Sequence, residues 1–226
     1  MSTPTRRPTA LVFDVNETLL DLGPVRRAVN ALLLDEGGAS MWFSSLLHYS
    51  LVMTVAGRHA DFAAIGAAVL QMHARNRDIV ISLDDARDVL KPMREPNPHP
   101  DVEPALQRLK AAGFRLASLT NSSQAGAEAQ LAHAGIADHF EQSFSVDSVQ
   151  RFKPHADVYA WAASELQLAP ADCMMVAAHG WDVAGAQWAG WQAAFIARHE
   201  QQKFPLAPVP TLDVGDLIAL ADALGA

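Results

Sequence analysis

The chain has 226 residues, half of them apolar and 19% charged, which specifies a globular protein with one sizeable core or a core plus a smaller insert. Its 17 basic and 25 acidic residues leave a formal charge of −8, so it offers no general attraction to nucleic acid or an anionic membrane, though local cations can hold an anionic substrate. Cys173 is the only cysteine, which excludes an internal disulfide framework and a cysteine zinc site.

No stretch reaches the roughly 18 apolar residues of a membrane span. Met1–Thr9 has two arginines and no apolar run of leader length, so a cytoplasmic protein is expected. Ala10 to Val15 reads as a buried parallel strand, apolar except for Asp14 near its carboxyl end, and Asn16 to Asp21 follows as a polar turn. Pro24 to Glu36 is helix-like, with Gly37-Gly38 as a stop. Ala39 to Ala56 and His59 to Ala74 carry apolar residues at helical spacing, and Ser82-Leu83-Asp84-Asp85 reads as the start of another helix. Lys91 to Pro100 holds four prolines in ten residues and reads as a linker.

Beyond it the pattern alternates. Asp101 to Ala112 is an amphipathic helix and Phe114 to Leu119 a strand. Ser123 to Ala134 and His155 to Leu168 are helices, Cys173 to Ala178 a buried strand, Val183 to Gly190 a helix and Ala193 to Ala197 a strand. Such alternation predicts an α/β fold with a parallel sheet wrapped by helices, interrupted after its first strand by a helical insert. Trp188 and Trp191 are expected in the core, and Cys173 as a buried bystander.

Polar residues follow the strands: Asp14 with Thr18, Thr120-Asn121-Ser122, Lys153-Pro154, and His179-Gly180-Trp181-Asp182. Strand ends of a parallel sheet converge on one edge, where a carboxylate is poised for nucleophilic or metal chemistry. Singly, each has a plainer reading: Asp14, Thr120, Asn121 and Asp182 as turn or helix caps, Lys153 as a solvated charge. Their joint order favours a shared cleft. No glycine-rich phosphate loop or nucleotide fingerprint is present, so no cofactor is expected.

Phe13-Asp14-Val15 with Thr18-Leu19, Leu119-Thr120-Asn121, Lys153-Pro154 with Val158-Tyr159, and Trp181 to Ala186 together resemble the haloacid dehalogenase superfamily, more narrowly its type II (L-2-haloacid) dehalogenases. The resemblance implies a Rossmann-like core over 1–21 and 97–226, a helical cap over 22–96, and a homodimer. It implies that Asp14 displaces halide to form an aspartyl ester that water then hydrolyses, with Lys153 holding the nucleophile as an anion. Asp182 would orient the water and Thr18 would bond near the nucleophile. Asn16, Phe43, Thr120, Asn121, His179, Trp181 and Tyr159 would line the pocket of a small anionic substrate, a short-chain (S)-2-haloacid, with no metal.

Superfamily phosphatases carry a second Asp where this chain has Asn16, which cannot act as an acid. Their metal-binding Asp would fall at Ala178, leaving only Asp182. Phosphate-ester hydrolysis is therefore the alternative, and a non-catalytic binding protein the other. Four positions depart from the dehalogenase pattern: Phe43 replaces a cap arginine, Ala177 and His179 replace a serine and an asparagine, and Glu17 replaces a glycine. His48, Arg58 and His59 are candidates for the missing cation, and His179 for a donor or water activator.

Overall fold

Alternate residues of the first strand are buried on opposite faces of a sheet. Leu11 and Phe13 of β1 (Ala10–Phe13) join one apolar cluster, while Ala10 and Val12 join the other, and all four are fully buried. A strand covered on both faces needs a continuous apolar run rather than an alternating one. The computed structural model describes residues 6–226, so Met1–Thr5 of the stretch read for a leader lie outside the described residues.

β1, β2 (Arg115–Thr120), β3 (Gln142–Ser145), β4 (Cys173–Ala177), β5 (Gln192–Ile196) and β6 (Leu212–Val214) form one parallel sheet in the order β3-β2-β1-β4-β5-β6. The order reverses between β1 and β4, a switch point that leaves a crevice at the strand ends. Phe13 lies beside Ser118 of β2 and Val176 of β4, so Asp14 opens into that crevice next to Leu119 and Ala177. This is the expected Rossmann-like α/β architecture.

Four helices follow β1: α1 (Gly23–Leu33), α2 (Gly38–Val55), α3 (Phe62–Arg75) and α4 (Leu83–Val89). They pack through buried residues including Val29, Trp42, Leu46 and Leu70. The Trp42 indole donates to the Gly66 carbonyl at 2.9 Å, fixing α2 on α3. On one sheet face lie α5 (Val102–Ala111), Leu131 of α6 (Gln124–His133) and α9 (Leu217–Ala223); on the other lie α7 (Ala156–Glu165) and α8 (Gly180–Trp188). Among the described residues no helix is long and apolar enough to cross a membrane.

Several sequence expectations need correction. Gly37-Gly38 does not stop α1, which ends at Leu33 with Leu34 in a left-handed cap (φ 52°). Gly38 instead begins α2, because Asn30 accepts from the Ala39 amide and ties the two helices together. α8 starts three residues earlier than its apolar periodicity suggested, which puts Trp181 and Asp182 in its first turn. Trp191 is buried, but Trp188 is 60% exposed on the outer side of α8, edge-on to Phe204. Cys173 is a free, buried thiol. β3, β6 and α9 were not anticipated.

Candidate active site

The Asp14 carboxylate is almost wholly buried and has donors on both oxygens. Lys153 Nζ donates to Oδ1 at 2.9 Å; Thr18 Oγ1 donates to Oδ2 at 2.7 Å, and His179 Nδ1 lies 2.9 Å from Oδ2. Thr18 in turn accepts from the Ala178 amide at 2.9 Å, so the turn after β1 is pinned to the end of β4. Burial alone would push Asp14 toward the neutral acid. The charges of Lys153 and His179, with hydrogen bonds from His179 and Thr18, outweigh it and hold the carboxyl well below the usual carboxylate range.

Lys153 commits all three ammonium protons: to Asp14, to the Leu119 carbonyl at 2.8 Å and to Asp182 Oδ2 at 2.6 Å. Burial disfavours its charge, but the two carboxylates more than compensate and its pKa is raised. The other Asp182 oxygen accepts from the Tyr159 hydroxyl at 2.6 Å, and Asp182 has no exposed surface. Burial, with Asp14 nearby, pushes the Asp182 pKa upward despite Lys153 and Tyr159. The two acids thus part in opposite directions, Asp14 held as an anion and Asp182 drawn toward the neutral form. Close packing of α8 on the lysine loop depends on Gly185, since a Cβ there would overlap Pro154 and crowd the Tyr159 hydroxyl.

His179 occupies the opposite side of Asp14. Its Nδ1 meets Asp14, and its Nε2 meets Glu17 Oε2 at 3.0 Å. Two ionised carboxylates can only accept, so both ring nitrogens donate and the ring is an imidazolium. Burial opposes that charge, yet Asp14 and then Glu17 prevail and lift the pKa to about 9. The ring is sandwiched between Phe43 (centroids 5.9 Å apart, 23° between planes) and Trp181 (5.1 Å, 27°). Glu17 sits at φ 63°, a left-handed position where a non-glycine residue is strained by roughly 1–2 kcal/mol. It is held there by Gln201 Nε2 at 3.0 Å and Arg26 Nε at 3.3 Å. A cavity of about 400 Å³ opens beyond this stack, lined by Phe43, His179, Trp181, Glu17 and Arg26 among others.

The structure brings Asp14, Thr18, Lys153, Asp182, Tyr159, His179, Trp181 and Phe43 into one contiguous cluster. Asn121 lies at its edge and accepts from the Lys153 backbone amide at 2.9 Å, while Thr120 accepts from the Ser122 amide at 3.1 Å. Asn16 turns away toward Ser122 and Gln130. Of the candidate cations on α2 and the loop that follows it, His59 pairs with Asp147 at 3.1 Å, while His48 and Arg58 are exposed. Glu17, which the sequence marked only as a departure, is the contact to the site that it did not reveal. The signal was its place in the turn that carries Asp14. A metal ion does not fit here, because an ammonium and an imidazolium already hold the Asp14 oxygens and would repel it. Among the described residues no group of three or more His, Cys, Asp and Glu could hold one.

This fold, with a clamped carboxylate at the end of its first strand, defines a hydrolase of the haloacid dehalogenase type: residues 8–190 match the model of the haloacid dehalogenase-like hydrolases, and the chain belongs to that family. Its relatives place it in the (S)-2-haloacid dehalogenase branch. It is 31% identical over 205 residues to (S)-2-haloacid dehalogenase 1 of Pseudomonas sp. (strain CBS-3), covering 88% of this chain and 89% of that one. It is 31% identical over 195 residues to the (S)-2-haloacid dehalogenase of Xanthobacter autotrophicus, covering 85% and 76%. Among solved structures, the L-2-haloacid dehalogenase of Xanthobacter autotrophicus superposes with a TM-score of 0.88 at 26% identity, covering 97% of this chain and 99% of that one. The same enzyme with chloropropionic acid covalently bound gives 0.86 at 26% identity, with the same coverage.

Proposed function

We propose that the protein is a hydrolytic dehalogenase that converts short-chain (S)-2-haloacids to 2-hydroxy acids through an ester on Asp14. The observation that carries this reading is a buried carboxylate kept ionised between Lys153 and His179. An ionised oxygen can attack C2 in line with the carbon–halogen bond, and halide leaves as an anion that needs no proton. A haloacid captured covalently on a similar enzyme supports the same first step here.

In the second half-reaction water adds to Cγ of the ester. Both Asp182 oxygens are committed to Tyr159 and Lys153, so its work is to fix Lys153. His179 is the group in reach of the ester with a carboxylate behind it. Alkylation neutralises Asp14 and removes the main anion that keeps His179 protonated; its pKa falls and the ring releases its proton to solvent. The neutral Nδ1 then takes the water proton and passes it to the departing alkoxide, while Glu17 orients the ring.

Helices over 22–96 would act as the cap that carries Phe43 onto this site. The exposed apolar residues Met41, Leu51, Val52 and Val55 of α2 suit a homodimer contact, and the single reduced cysteine suits the cytoplasm. Halide release from (S)- and (R)-2-bromopropionate, compared with Asp14→Asn, tests the central reading. Release from the S form that the substitution abolishes is expected; no release from either enantiomer overturns it.

A further inference from the structure

A haloacid brings a negative charge to a chain that is itself strongly negative, so capture needs a local cation. The cations nearest Asp14 are committed: Lys153 has its three protons on protein oxygens and His179 has both N–H groups on carboxylates. Phe43 supplies none.

Arg26 of α1 is different. It lines the 400 Å³ cavity in front of the His179 stack and also an adjoining one of about 230 Å³. Its Nε meets Glu17, its Nη1 meets Glu200 at 2.5 Å, and among the described residues Nη2 donates to none. Glu200 stands on the connection between β5 and β6, with its side chain half exposed and its backbone at φ 63°. A pair this exposed is cheap to break.

We propose that Arg26 is the docking anchor for the carboxylate of the incoming substrate, and that Glu200 is the internal carboxylate which the substrate displaces from it. This rests on the haloacid reading for the identity of the anion. Glu17 and the His179 ring stand between Arg26 and Asp14, so an anion on Arg26 is captured but not yet in attacking position. An anchor that holds only this docked state moves KM and kcat together and leaves kcat/KM to the chemistry beyond it.

Steady-state halide release from (S)-2-bromopropionate separates the two. Glu200→Gln, which frees the guanidinium and leaves Glu17 in place, is expected to lower KM several-fold and kcat with it, keeping kcat/KM within about twofold. Arg26→Gln should raise KM roughly tenfold or more, as loss of a charged hydrogen bond does. Neutral 2-bromopropionamide should respond to neither KM effect. Arg94→Gln, in the separate groove lined by Ser122 and Gln130, serves as the control and should change nothing. An unchanged or higher KM in Glu200→Gln, or an Arg94→Gln effect that matches that of Arg26→Gln, overturns the anchor. Binding of the inert anion 2-hydroxypropionate, measured by calorimetry, reports independently of turnover. If the protein releases no halide but Glu200→Gln tightens and Arg26→Gln weakens this binding, the dehalogenase reading fails and the anchor stands. If halide is released and binding ignores both substitutions, the anchor fails.

Discussion

The two sides of Asp14 are built on opposite principles. On the lysine side, Lys153, Asp182 and Tyr159 are almost fully buried and every ammonium proton has a protein acceptor. That side has one arrangement and no room for a second. On the histidine side, the same carboxylate meets an imidazolium stacked between two aromatic rings, backed by a strained glutamate and bordered by a cavity. One side holds Asp14 in place; on the proposed mechanism the other changes charge as the reaction proceeds. Substitutions should therefore fail differently on the two sides.

The largest effect belongs to the lysine side. Lys153→Met would leave Asp14 and Asp182 without their shared cation in a dry site. Breaking a buried pair in this way costs about 3–5 kcal/mol, visible as a lower denaturation midpoint. Halide release should fall sharply even in the first turnover, because His179 and Thr18 alone hold Asp14 ionised and in place less firmly. A variant that keeps its initial burst would show that Lys153 does not hold the nucleophile ionised.

On the histidine side the first half-reaction should survive. His179→Asn is expected to give about one equivalent of halide per site and then slow by roughly 10²- to 10⁴-fold, the range of a lost general base. Mass spectrometry of the stalled protein should find the carboxyalkyl group on Asp14. In the wild type, ester hydrolysis should accelerate as pH rises toward the His179 pKa of the ester, which lies below the resting value of about 9 once Asp14 is neutral. Glu17→Gln removes a second anion, so it should move that limb to lower pH while slowing the plateau. A burst that disappears with His179 would break the contrast between the two sides.

How much of this was legible beforehand follows the same division. Asp14, Thr18, Lys153 and Asp182 each stand at or just after a strand end or in an adjoining turn, so a parallel topology alone was enough to bring them together. β3 and β6 escaped because they are the sheet's short edge strands, and their polar residues carry no buried run. Trp188 was misplaced because helical spacing cannot tell which face of α8 the sheet covers. The His179 side was the least legible. Its geometry depends on α2 delivering Phe43 across the crevice and on Arg26 reaching Glu200, 174 residues away.

The charge on His179 also enters the stability of the resting protein. Its folded pKa of about 9 exceeds the unfolded value of 6.5, so the stabilisation is fully present below pH 6.5 and is lost as pH rises through 9. Denaturation midpoints at pH 6 and pH 9.5 should fall in that direction, and His179→Asn should flatten the difference. An equal slope in the variant would assign the pH dependence to other groups.

The smallest expected change in stability, at Glu17→Gly, is the most instructive. Glycine takes φ 63° without strain, so the substitution recovers roughly 1–2 kcal/mol of backbone energy. It also removes the one carboxylate that His179 and Arg26 share; the partly exposed pair of Glu17 with Arg26 is worth little. The loss at His179 is larger, but Asp14 still satisfies Nδ1, and the freed Nε2 faces the cavity, where water can reach it. Gains and losses of similar size should leave the denaturation midpoint nearly unmoved while ester hydrolysis slows as in Glu17→Gln. A large drop in midpoint would make Glu17 a structural keystone and its strained backbone incidental. An unmoved midpoint with impaired hydrolysis means the strain is tolerated because it aims the imidazole at the nucleophile.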